Sequence, residues 1–176
     1  MTLTLNRTTL LADAALLGAA CLVPAASHLF ALPIYQLDPM RWLLAAALLV
    51  GAHGRMRNLN GYLMAVAIPL VSCAVVGMPS PVKALLIAAE LCVNVFVLSF
   101  LLDKMQGLGR NTRVVAAVLG SVVCAKLAYY LLKTACVSLG LLDGSVIGTP
   151  VMVQLLAVAV PVLVFTVACR LTEAGR

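Results

Sequence analysis

Charge is what this 176-residue chain has least of: charged side chains make up 10% of it, against 64% hydrophobic residues. So little polar surface cannot cover a water-soluble globule. Acidic residues number six, Lys and Arg together twelve, and the only histidines are His28 and His53. The sequence also lacks a Gly-x-x-x-x-Gly-Lys-Ser/Thr phosphate loop, a His-Glu-x-x-His pair, a Gly-x-Ser-x-Gly elbow and an aspartate-rich transferase motif. Those absences exclude ATP hydrolysis by this chain and leave no common enzyme signature to follow. No internal repeat or low-complexity tract is visible, so an inverted-repeat transporter has no support. Cys21, Cys73, Cys92, Cys124, Cys136 and Cys169 form no Cys-x-x-Cys and share no zinc-finger spacing with histidine. Most of them are expected to be buried free thiols that pack as small apolar residues.

What is there is a succession of apolar runs separated by short polar connections. Backbone groups in hydrocarbon must be satisfied internally, so the runs are helices; they are far longer than the alternating strands of a barrel. At about 20 residues per span the chain holds five to seven helices and one transmembrane domain over 1–176. The expected spans are Thr8–Ser27, Pro39–Ala52, Gly61–Val76, Pro81–Leu102, Val114–Leu139 and Thr149–Leu171. Arg7 ahead of an apolar stretch and Pro24-Ala25-Ala26-Ser27 imitate a signal peptide, and Leu16 to Cys21 imitates a lipoprotein site. Asp13 interrupts that stretch and further apolar runs follow, so a retained first helix is expected.

The loops set orientation through their Lys and Arg content. Arg7, Arg55, Arg57, Lys104, Arg110, Arg113, Arg170 and Arg176 fall on one side, against Arg41, Lys83 and Lys133 on the other. Both termini are therefore expected in the cytoplasm. The net charge of +6 reports this bias and not a nucleic-acid partner. The outward connections then carry His28, Tyr35, Asp38, Met78, Asp143 and the prolines Pro33 and Pro79, with Pro39 and Pro81 at their edges.

Polar residues inside spans are expensive in hydrocarbon and face the bundle or a cavity. Glu90 falls roughly 13 Å below the outward end of the fourth span, and Lys126 in the fifth falls at a similar depth. The two are expected to pair, with Asn94 one turn from Glu90 and Tyr129 and Tyr130 one turn from Lys126. The plain role is an ion pair fixing one helix against the other; the functional alternative is handling of substrate or protons. Ala15-x-x-x-Ala19 and Ala14-x-x-x-Gly18 make a smooth stripe on the first span, suited to internal packing or to docking another membrane protein. Cys73, four residues before Gly77, is either a packing residue or a soft ligand near the outward surface, and His28 is a second candidate ligand.

Six short helices, both ends inside, the Ala15-x-x-x-Ala19 stripe and proline-bearing outward loops together resemble the substrate-binding S-components of energy-coupling-factor (ECF) vitamin transporters. Gly77-Met78-Pro79-Ser80-Pro81-Val82-Lys83, leading to Glu90-Leu91, fits the same resemblance, which extends over essentially the whole chain. It implies a multi-pass protein of the bacterial cytoplasmic membrane with no bond chemistry and no intrinsic cofactor. Ala15 and Ala19 would dock onto a transmembrane coupling subunit that works with two ATPases. A vitamin would sit beneath the outward loops, near Cys73, His28, Tyr35, Asp38 and Met78. In the cobalamin-specific, BtuM-like branch a cysteine near the outer end of the third span ligates cobalt, and Cys73 stands where that residue is expected. The alternatives are another vitamin, a small membrane enzyme using Glu90 and Lys126, or an assembly subunit of a larger complex.

Overall fold

The computed structural model describes residues 59–77, 79–107 and 109–142, together with Leu11, Ala14, Ala15, Gly18, Leu22 and Ala159. The first, second and sixth expected spans lie almost wholly outside these residues. Everything regular in the described part is helical: α1, Leu59–Val76; α2, Pro81–Lys104; and α3, Arg110–Ser138. At 1.5 Å per residue, α2 is about 36 Å long and α3 about 43 Å, against roughly 30 Å of bilayer hydrocarbon. Two helices, α2 and the Thr112–Ser138 portion of α3, are long and apolar enough to cross a membrane.

Local chemistry sets the ends. Gly77, at φ 73°, closes α1 in the left-handed conformation that a residue without Cβ adopts freely, and its N–H reaches the Cys73 carbonyl at 3.1 Å. Ser80 then leads into Pro81 at the first position of α2, where a missing N–H does no harm. The Ala84 N–H donates to the Ser80 carbonyl at 2.8 Å and opens the ladder. At the far end of α3, Gly140 (φ 69°) donates to the Val137 carbonyl at 3.0 Å and Leu141 to that of Cys136 at 2.9 Å. This is the paired arrangement of a Schellman cap, which satisfies carbonyls that the helix itself leaves over. Pro69 lies inside α1, buried, and α1 continues through it.

The expected spans needed lengthening. The third begins at Leu59 instead of Gly61, the fourth runs to Lys104 instead of Leu102, and the fifth begins at Arg110 instead of Val114. Arg110-Asn111-Thr112-Arg113, expected as loop, forms the first turn of α3, and the connection shrinks to residues 105–109. Hydropathy marks where hydrocarbon would end, whereas a helix continues into polar residues until its backbone bonds are broken.

Helix α2 occupies the middle, packed against α1 on one side and α3 on the other. Met64, Ala65 and Ile68 from α1, Leu91, Val95 and Leu98 from α2, and Val114, Ala117, Val118 and Val122 from α3 form one continuous core. The α2–α3 crossing is close at Gly120: a Cβ there would lie 2.7 Å from Cδ1 of Leu101. The outward faces are as apolar as the inward ones, with Leu85, Phe96 and Phe100 on α2 and Val123, Leu127 and Leu131 on α3 exposed. Such a surface suits hydrocarbon and not water. The cysteines depart from expectation: Cys73, Cys92, Cys124 and Cys136 are free thiols, but Cys124 is exposed and the other three are only partly covered. Packing among three helices leaves part of each helix surface uncovered, and these thiols sit on or at the edge of those parts.

Candidate functional site

Midway along α2, among leucines and valines, stands a carboxylate. Glu90 is buried, and its Oε1 accepts from Lys126 Nζ of α3 at 3.2 Å. Helices α2 and α3 leave opposite ends of one short connection, and along their helices Glu90 lies roughly 21 Å and Lys126 roughly 24 Å from it. Nearly equal distance along two antiparallel helices is what brings the two charges to one level. The pair forecast from depth in the sequence is thus formed. Lys126 is the more accessible partner, 21% exposed at its side chain against 5% for Glu90. Its ammonium also lies 5.4 Å from the centre of the Tyr129 ring, a cation–π contact, and Tyr129 meets Tyr130 edge-on at 5.6 Å.

One turn from Glu90, Asn94 is 1% exposed, and neither its amide oxygen nor its amide nitrogen has a hydrogen-bond partner in the protein. Its neighbours in the core are apolar: Leu91, Val95 and Leu98 all belong to the cluster that joins the three helices. By contrast Ser121, equally buried on α3, donates to the Val118 carbonyl of its own helix at 2.9 Å. A hydroxyl can turn back onto its own backbone; a longer amide with two kinds of polar atom does so less easily. The sequence placed Asn94 on the face of Glu90, but nothing in it signalled an amide left without a protein partner.

Cys73 is partly covered and sits one turn before Gly77, at the end of α1 that leads through Pro79 into α2. Among the described residues no three His, Cys, Asp or Glu side chains gather as a metal site. Of the other expected ligand-binding positions, His28, Tyr35, Asp38 and Met78 lie outside the described residues. Of the docking stripe, Ala19 does too, while Ala15 is helical and exposed, as are Leu11, Ala14, Gly18 and Leu22. Those five recur at the spacing of one helical face, and an added Cβ at Gly18 would meet nothing within 4 Å.

Comparison with protein-family models, with curated proteins and with solved structures finds no match. Any functional reading therefore rests on the residues themselves.

Proposed function

We propose that this chain is the membrane-embedded substrate-binding subunit of a vitamin or micronutrient importer in the bacterial cytoplasmic membrane. It would have six spans, both termini inside, and cobalamin as its ligand. The observation that carries this reading is the position of Cys73: a free, partly accessible thiol one turn from the Gly77–Pro81 connection, at the end of α1 that the charge bias turns outward. A soft sulfur donor suits a transition-metal centre such as cobalt better than the oxygens of Asp38 would. His28, Tyr35, Asp38 and Met78 complete the proposed outward site. Ala15, exposed on a smooth helical face, and Ala19 form the proposed seat for a coupling subunit, which would bring two ATPases because this chain has no phosphate loop. The chain itself would perform no bond chemistry and hold no cofactor of its own.

The test is spectroscopic. Protein purified from cells fed cobalamin should carry a corrinoid spectrum displaced from that of the free vitamin. Cys73→Ala should weaken binding and return the spectrum toward the free form, whereas Cys92→Ala and Cys124→Ala leave it unchanged. Unchanged affinity and spectrum in Cys73→Ala would remove cobalt ligation; no corrinoid in the wild type would remove cobalamin and leave another vitamin to be sought.

A second reading, an assembly subunit of a larger membrane complex, draws on the Glu90–Lys126 pair, which as a clamp between α2 and α3 needs no ligand to explain it. A small membrane enzyme using the same two residues is the third. Retention of radiolabelled vitamin favours the importer, and product formed from a lipid substrate favours the enzyme.

A further inference from the structure

We propose that Asn94 holds a bound water inside the helix bundle, linked to the carboxylate of Glu90. Donors and acceptors are out of balance at this level of the fold. Glu90 and Lys126 engage each other, and Asn94, 1% exposed, offers a donor and an acceptor that no protein group meets. In an apolar interior an unmet polar group is strongly destabilising, and unpartnered side chains in folded proteins commonly mark an ordered water or ion. The guest must match four conditions.

It is small, because Asn94 and Glu90 are both buried and the core around them is packed with Leu91, Val95 and Leu98. It is neutral, because the neighbouring carboxylate and ammonium already offset each other, so an added ion would bring an uncompensated charge. It both donates and accepts, because the amide has one atom of each kind unmet. It also reaches two partners. Side chains four residues apart on a helix are neighbours on one face, with Cβ atoms about 5–6 Å apart, so one small guest between them is within reach of both. Water satisfies all four conditions, and a carboxylate accepts several bonds, so Glu90 receives from the water as well as from Lys126. The polar level of the bundle then consists of the ion pair, the amide and the water that joins them.

Millisecond X-ray radiolysis of the full chain in lipid nanodiscs tests this, because hydroxyl radicals form at bound waters and oxidise the side chains beside them. Leu91 and Val95, on α2 beside Asn94, should be oxidised several-fold faster than Val114, which is also buried and lies about 12 Å along α3 from the level of Asn94. The excess should vanish in Asn94→Leu and persist in Asn94→Ser, with folding of each checked by circular dichroism and gel filtration. Rates at Leu91 and Val95 no higher than at Val114 in the wild type would overturn the proposal, and that comparison decides even where Asn94→Leu does not fold. An excess that survives in Asn94→Leu would overturn it as well. So would an organic molecule that co-purifies with the wild type, is seen by native mass spectrometry and is lost in Asn94→Leu, since the guest would then not be water.

Discussion

Lys126 and Glu90 show what a single charge entails in an apolar bundle. The pair at 3.2 Å is not a source of net stability to be added up, since two ions have been taken from water to make it. Its energetic weight appears when one partner is removed and the other is left uncompensated. Glu90→Gln or Lys126→Met alone should lower unfolding stability by about 3–5 kcal/mol, and the double substitution by clearly less than the sum. Reversible unfolding in mixed micelles, run as a double-mutant cycle, measures this; a coupling energy near zero would make the contact incidental. The pair was readable from sequence because depth along a helix is arithmetic. The contact of Lys126 with the Tyr129 ring was foreshadowed only as proximity, since which side of Lys126 the ring takes depends on rotamers.

Among the elements, α2 has the most to satisfy, with a neighbour on each side and its own ends held by a proline start and the 105–109 connection. Its approach to α3 is close at Gly120, where a methyl group would meet Cδ1 of Leu101 at 2.7 Å. That atom is the far end of a flexible, partly buried side chain, so Gly120→Ala should be nearly neutral, within about 1 kcal/mol, as Leu101 turns aside and the better helix propensity of alanine offsets the cost. In a Leu101→Ala background, where the contact is gone, Gly120→Ala should stabilise, measured by the same unfolding assay. A loss well above about 1 kcal/mol for Gly120→Ala alone would mean that Leu101 is held where it stands. Nothing in the sequence set Gly120 apart from the other glycines, because its importance comes from a residue on a different helix.

For the molecule as a whole, the proposed orientation rests on the charge bias, and the described helices supply a point at which to test it. The 105–109 connection lies between Lys104 and Arg110, with Arg113 one turn further on, and Gln106 at its middle is exposed. In the proposed topology this connection is cytoplasmic. A single cysteine at Gln106, in an otherwise cysteine-free background, should resist a membrane-impermeant maleimide in intact cells and react fully after lysis. Labelling in intact cells would invert the chain and place Cys73 on the wrong side for the proposed ligand.

The sequence by itself determined that the described regions are helices, roughly where each one runs, and that Glu90 and Lys126 reach the same level. These follow from the length of apolar runs, the positions of glycine and proline, and the rise per residue, all of which are local quantities. Tertiary structure alone decided which faces meet. The three helices are apolar nearly all the way round, so no periodic pattern marks an inner side. Rotation about each helix axis placed Gly120 against Leu101, left the four described cysteines partly or fully uncovered and closed the core over an Asn94 with no protein partner. Hydropathy reports the transfer of one residue at a time; packing depends on the joint orientation of several helices, and that information is spread across residues far apart in the chain.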